Sequence, residues 1–450
     1  MTDAVKAFMS DHLGVIGMAG CDSLSQRVNN YLCEWRGVSS AQNGSGRQGF
    51  LIPTSCPRFG SGEAKGLIKH TIRGYDLFII YGTLLGCVRE GDFIAHDNDL
   101  DFAYISRHCE RDLVAAEFQR LCALLIDHGF YGTLYRHGFG IKSPVSLDIY
   151  YTWFDSSNLF QASFGYHGDA IPFGLDFSAS EEKTLGPFKV RVPNAADRIL
   201  EQLYGPTWRT PNPGFSHYSR NRKIPIQYLL SLSELSRLHW KQVYARWRSD
   251  VAVAESGLAR EATARLFDRR RLIVDLGCGA GVDALHFSRA GHEVAALDAS
   301  PEAIALACRS AKAEGLDRCS FSTVNLEDSK ALTGFLRQQR IEAAAKGAGI
   351  VIYVQQVLEF LSAEAERRLF DLLREYCGPY ELLAEVKVVS PRLVASTTAQ
   401  FFARTMPAED LASRLRNYGL TSVTLTEGPS ATDTDDEPTY RVVGTTSPTQ

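Results

Sequence analysis

Four polar side chains crowd one short stretch of the chain, HDNDLDF: Asp97, Asn98, Asp99 and Asp101, at the mouth of an apolar run. Carboxylates this close repel one another unless a cation or a reaction holds them. On an extended strand, residues two apart share a face, so Asp99 and Asp101 would project side by side while Leu100 and Phe102 point into the core. Oxygen ligands so arranged suit a hard divalent cation, Mg²⁺ or Mn²⁺. Upstream, Gly82 and Thr83 end the strand-like run FIIY and open a helix-like turn. Free backbone N–H groups at such a start, with the Thr83 hydroxyl, suit a phosphate, and Arg89 can add a bidentate contact. A further carboxylate, Asp148, lies in SLDIY, a later run that could pair beside the first. Metal carboxylates facing a phosphate-binding helix start are the working parts of a phosphoryl- or nucleotidyl-transfer site. Taken alone, DND reads rather as Asx residues capping a tight turn. The combination with Gly82, Thr83, the D-x-D on an apolar strand and Asp148 points to metal (Asp99, Asp101, Asp148).

A second chemical signature is RLIVDLGCGAGVDALHF, a strand, a loop and a helix, with Asp275, Gly277, Gly279 and Gly281 two apart. The glycines let the backbone approach a ligand at a strand end, where open α/β sheets bind their ligands. The dinucleotide fingerprint G-x-G-x-x-G does not fit, because position 282 is Val.

The elements that must position these residues follow from periodicity. From Glu63 to Pro213 helical and strand-like runs alternate: GEAKGLIKHTIRGY reads as a helix and DLFIIYG as a strand. RDLVAAEFQRLCALLIDHGF is an amphipathic helix ending at a glycine, and SLDIYYTWF is another strand. NAADRILEQLYG reads as a short helix with Asn194 as N-cap and Gly205 closing it. The expected organisation is an extension (1–62), an α+β domain (63–215), a mostly helical basic connector (216–249) and a parallel α/β domain (250–450). An amphipathic helix is expected around residues 22–35, followed by a Gly/Ser/Asn-rich loop.

At 450 residues the chain is too long for one ordinary core. A formal charge of −4 speaks against a broad platform for nucleic acid or anionic membrane. No apolar run approaches the roughly 20 residues needed to span a bilayer, and the first residues lack the pattern of a secretory signal. Ten cysteines without a CxxC read as free thiols in a reducing compartment. The expected location is the cytoplasm, with peripheral association at the inner membrane as a variant.

The run GTLLGCVREGDFIAHDNDLDF resembles the LicD/fukutin family, as do Asp148 on a later strand and a closing element with Tyr204, Gly205, Trp208 and Pro211. Three separated elements in order make the resemblance specific over residues 63–215. His96 and Asn98 depart from the family's usual Trp and Asp; Asn98 remains an oxygen donor. The resemblance implies a nucleotidyltransferase-like fold that transfers a phospho-alcohol from a CDP-activated donor to a glycan hydroxyl. It further implies that Asp99 and Asp101 hold Mg²⁺ against the donor diphosphate, that Gly82, Thr83 and Arg89 orient the phosphates, and that Asp97 supports the metal. Asp148 would complete the metal site or accept the proton of the attacking hydroxyl. Lys142 and His137 could touch the donor, although a surface loop is the simpler reading of His137.

The D-x-G-x-G-x-G series resembles motif I of class I methyltransferases that use S-adenosylmethionine, with a Rossmann-like fold. The resemblance implies that Asp298, at the end of EVAALDAS, grips the ribose hydroxyls and that Asn325, Leu326 and Glu327 lie at the adenine end. GIVIYVQQVLEFL would lie next to the methyl group. The tail, with Asp436, Glu437, Pro438, Arg441, Val442 and Val443, resembles methyltransferases of surface-glycan assembly. Gln355 and Glu359 replace an Arg and a His of those proteins; Glu359 reads either as a base or as a solvated glutamate at a helix start. Together the resemblances imply a bifunctional enzyme of surface-glycan assembly, with a CDP-activated donor and a glycan acceptor as partners. A nucleotidyltransferase making the activated donor, and a methyltransferase with a non-catalytic glycan-binding front half, remain open.

Overall fold

The computed structural model describes residues 75, 77–94, 97, 100–141, 147–165, 180–185, 188–215, 223, 225–247, 253–267, 271–387, 407–428 and 439–446. The expected extension, the helix at 22–35 and its loop, and the helix GEAKGLIKHTIRGY apart from Tyr75 lie outside these residues. The chain divides into two compact units, 1–231 and 232–450.

In the first unit, β1 (Phe78–Ile79) runs into α1 (Tyr81–Arg89), followed by β2 (Leu100–Ile105) and α2 (Arg111–Asp127). Then come β3 (Gly132–Tyr135), β4 (Gly138–Ile141), β5 (Leu147–Phe154) and β6 (Phe160–Ala162). These strands form one sheet, ordered β1-β2-β5-β4-β3, with β6 beside β5. Only β2 and β5 pair in parallel; the other pairings are antiparallel. A hairpin of β7 (Ser180–Leu185) and β8 (Phe188–Pro193) precedes α3 (Ala196–Tyr204).

Local chemistry accounts for these elements. In α2, Val114, Phe118, Leu121, Leu125 and Ile126 recur at helical spacing and are buried. Phe118 meets Tyr151 of β5 edge-on at 4.8 Å. The helix stops before Gly129, whose φ of +83° a side chain would disfavour. In α3 the N-cap position falls on Ala195, one residue beyond the expected Asn194. The chain after α3 stays with this unit: Tyr151 Oη donates to the Gln227 carbonyl (2.7 Å), and Arg136 Nε donates to the Leu230 carbonyl (2.8 Å).

The second unit begins with α4 (Leu232–Ala245), so the stretch 216–249 is shared between the two units. Next come α5 (Gly257–Leu266), β9 (Arg271–Leu276), α6 (Val282–Arg289), β10 (Glu293–Asp298), α7 (Pro301–Glu314) and β11 (Cys319–Thr323). The unit closes with α8 (Ser329–Lys346), β12 (Gly349–Gln355), α9 (Ala363–Tyr376), β13 (Tyr380–Lys387), α10 (Ala408–Asn417), β14 (Leu420–Gly428) and β15 (Thr439–Thr446). The sheet order is β11-β10-β9-β12-β13-β15-β14, with β15 antiparallel to both its neighbours and β9 to β13 all parallel.

Strand alternation splits the core into two layers. Leu272, Val274, Leu276, Ile350, Ile352 and Val354 face α8, α9 and α10. Ile273, Val294, Ala296, Val351 and Tyr353 face α5 and α6. Ser256, Ser300, Asp328 and Ser362 each cap a helix with a side-chain oxygen, satisfying N–H groups that helix ends leave open. This is the α/β, Rossmann-like arrangement expected of the second half, with antiparallel β14 and β15 added to the expected parallel sheet, and its ligand edge is the carboxyl end of β9 to β12.

Candidate functional sites

The front site is built where β2 and β5 lie side by side, with Asp101 directly opposite Asp148. Asp101 is 8% exposed and anchors the start of α1. Its Oδ2 accepts the Gly82 N–H (3.0 Å), its carbonyl accepts the Ile80 N–H (3.0 Å), and its own N–H donates to Thr83 Oγ1 (2.8 Å). The Gly82 N–H expected to face a phosphate is therefore directed at a carboxylate, which the positive end of a helix also favours. A methyl group on Gly82 would lie 2.6 Å from Asp97 Oδ2 and 3.3 Å from Asp101 Oδ2, so both carboxylates converge on this glycine. Tyr81, which begins the helix, has a φ of 46°, a strained value for a bulky residue.

Around Asp148 the fit is equally close. A Cβ on Gly140, its cross-strand neighbour, would lie 2.8 Å from Asp148 Oδ1. The Tyr150 hydroxyl donates to Asp148 Oδ2 at 3.0 Å. Burial, then the charges of Asp101 and Asp148, push the Tyr150 phenol up and keep it a donor. Tyr204, from the closing element, is pushed well up by burial and then by Asp101 and Asp97.

His137 lies in the turn between β3 and β4, as expected of a loop residue, but it is half-buried: it stacks on Tyr135 (5.3 Å) and meets Phe164 (4.8 Å) and Tyr228 (5.9 Å). Burial lowers its imidazole to about 4, so it is neutral at physiological pH. Arg89 sits at the far end of α1, roughly 10 Å along the axis from Gly82 by helical rise. It contacts Glu90 Oε1 (2.6 Å) and the Trp208 carbonyl (3.4 Å). The burial of Leu100, Asp101 and Phe102 alike shows that β2 is covered on both faces, where a one-sided strand was expected. Asn98, Asp99 and Lys142 lie outside the described residues. Among the described residues no group of three His, Cys, Asp or Glu side chains could hold a metal ion. Asp101 and Asp148 supply the right donor type for a hard cation.

The second site lies at the carboxyl end of β9. Gly277, Gly279 and Gly281 have φ of 79°, 55° and 77°, conformations that side chains rarely adopt. Cβ atoms there would lie 2.5 Å from Val357 Cγ2, 2.4 Å from the Tyr244 hydroxyl and 2.7 Å from the Ala307 Cβ. The Gly277 and Cys278 N–H groups donate to the Leu297 carbonyl. Asp298, ending β10, accepts from the Gly279 N–H (2.9 Å) and the Ser300 N–H (2.8 Å). Burial raises its carboxyl against those hydrogen bonds, and Asp275 is pushed well up by burial and by Asp283 and Asp298. Asn325 Oδ1 accepts the Glu327 N–H (2.9 Å), tightening the loop after β11 that carries Leu326.

Beyond β12 the backbone turns at Gln356, with φ of 51°, into the 3-10 turn Leu358–Phe360. Glu359 is 1% exposed and not a solvated glutamate. Burial lifts its carboxyl to about 7, opposed by hydrogen bonding that includes the Lys387 N–H at 3.2 Å. Buried Glu385 accepts from Gln355 Nε2 (2.7 Å) and pairs with Arg441 (3.0 Å) of the tail; Asp436, Glu437 and Pro438 lie outside the described residues.

Sequence reasoning missed Tyr244 and Glu385. The signal for Tyr244 was present: Trp240, Tyr244 and Trp247 in HWKQVYARW recur at helical spacing.

Comparisons with known proteins agree with both halves. Residues 74–173 match the family model described as LicD/FKTN/FKRP, nucleotidyltransferase domain, and residues 273–338 match one described as methyltransferase domain. No curated protein matches the sequence. Among solved structures, the chain is similar to magnesium protoporphyrin IX methyltransferase of Synechocystis PCC 6803 with bound SAH. That match has 17% identity and a TM-score of 0.37, and covers 48% of this chain and 100% of that one. Another similar structure is a SAM-dependent methyltransferase from Aquifex aeolicus, with 13% identity, 43% and 90% coverage and a TM-score of 0.31. The chain thus carries a LicD-family domain in its first half and a Rossmann-like methyltransferase domain in its second.

Proposed function

We propose that this chain is a bifunctional enzyme of surface-glycan assembly, working in the cytoplasm. Its second unit transfers a methyl group from S-adenosylmethionine, and its first transfers a phospho-alcohol from a CDP-activated donor to a glycan hydroxyl. The observation that carries the methyltransferase reading is the loop of three positive-φ glycines at the end of β9, beside Asp298 at the end of β10. S-adenosylmethionine, when bound, supplies an electrophilic methyl group. Gly277, Gly279 and Gly281 let the backbone approach it, Asp298 retains lone pairs for the ribose hydroxyls, and Asn325 and Leu326 serve the adenine end.

For the first unit, the pairing of Asp101 with Asp148 supports transfer chemistry. These two residues and Asp99 would hold Mg²⁺ or Mn²⁺, which supplies Lewis-acid stabilisation of phosphate charge. Asp97, Asn98 and Thr83 would organise the donor with Gly82, and Arg89 and Lys142 would supply positive charge for its phosphates. One observation favours a second reading, a non-catalytic glycan-binding front half: the Gly82 N–H is already taken by Asp101.

Labelled S-adenosylmethionine, a CDP-activated donor and an isolated surface glycan, incubated with the full chain, test both readings. The bifunctional enzyme releases CMP with added Mg²⁺ and labels the glycan or its substituent. Labelling without CMP release supports the second reading. Release of pyrophosphate from a CTP mixture supports a donor-making nucleotidyltransferase.

A further inference from the structure

The helix α4 makes contacts along the whole ligand edge of the second unit. Ser233 Oγ donates to Glu327 Oε2 (2.5 Å) in the loop after β11, and Lys241 Nζ donates to Glu302 Oε1 (2.5 Å) in the first turn after β10. Trp240 meets Phe360, beyond β12, edge-on at 5.6 Å. Tyr244 reaches the loop after β9, where its hydroxyl lies 2.4 Å from the position of a Gly279 Cβ. Four successive contacts thus fall on the carboxyl ends of four adjacent strands, where this architecture binds ligands.

We propose that α4 forms the outer wall of the S-adenosylmethionine site, with the Tyr244 hydroxyl as a direct hydrogen-bond donor to the bound cofactor. This rests on the methyltransferase reading above. Leu235 and Leu238 bury the helix against the unit. Trp240 and Trp247 flank the Tyr244 ring, at 5.9 Å and 6.0 Å. A helix needed only to connect has no reason to place Tyr244 on the glycine loop and Trp240 against Phe360 beyond β12. Among the described residues the Tyr244 hydroxyl has no hydrogen-bond partner. Burial, then the charges of Asp298, Cys278 and Asp275, raise its phenol, so it keeps its proton and has an O–H to donate to an anionic or carbonyl oxygen. Gly279 leaves room for that contact because any side chain there would strike the hydroxyl.

The test titrates the full chain with S-adenosylhomocysteine by calorimetry and follows tryptophan emission. The wild type should bind with a change in emission. Tyr244→Phe, which keeps the ring and removes the donor, should bind about tenfold more weakly. Trp240→Phe should lose most of the emission change. If the wild type does not bind, the methyltransferase reading itself fails. If the wild type and Tyr244→Phe bind equally well, the donor role is refuted. If Trp240→Phe keeps the full emission change, α4 is not the wall of the site.

Discussion

Glu359→Gln tests whether burial dictates the behaviour of the site beyond β12. Glu359 is 1% exposed, and its Oε2 has no hydrogen-bond partner among the described residues. Its carboxyl moves from 4.5 in the unfolded chain to about 7 in the native one. At 1.36 kcal/mol for each pH unit, that move corresponds to about 3 kcal/mol. The native state keeps a proton that the unfolded chain releases between those two values. Ionisation therefore costs stability as pH rises from 4.5 through about 7, and the full cost is present above 7. Glutamine preserves the shape and the acceptor for the Lys387 N–H but carries no charge. Glu359→Gln should match the wild type near pH 4.5 and exceed it at pH 8 by up to about 3 kcal/mol, or about 10 °C in the melting of a unit this size. Differential scanning calorimetry across pH 4.5–8 measures this, and the transition of the first unit is an internal control. Parallel profiles for the two proteins would refute the reasoning, because Glu359 would then titrate alike in both states.

Asp101→Asn keeps the backbone bond to Thr83 but removes the charge opposite Asp148. Mg²⁺-dependent CMP release should fall to background, with labelling from S-adenosylmethionine unchanged in the same assay. Gly277→Ala forces a side chain into φ of 79° and against Val357, and should lower the second unit's stability by at least about 1–2 kcal/mol in urea unfolding. His137, held at about 4 against 6.5 in the unfolded chain, should keep a constant imidazole shift in NMR spectra from pH 8 down to pH 5. Because the unfolded chain takes up that proton first, His137 lowers the first unit's stability as pH falls from 6.5 towards 4, and His137→Phe should remove that dependence.

The glycine loop was legible in the sequence because its requirement is local: three backbone positions with positive φ, between an apolar strand and an amphipathic helix, leave a short, fixed spacing. The strands around Asp101 and Asp148 were legible for the same reason, since alternation and apolar runs report torsion and burial within a few residues. The sequence allowed β5 to pair beside β2; tertiary structure decided that, across the intervening α2, β3 and β4, they do so in parallel with the two aspartates in register. It also decided that Asp101 turns its carboxylate onto the start of α1, that Arg89 lies at the other end of that helix, and that α4 lies on the cofactor edge. The burial of Glu359 and the aromatic packing around His137 were equally beyond reach. A residue's exposure, and with it the state of its charge, depends on which distant elements cover it, and local periodicity carries no record of that packing.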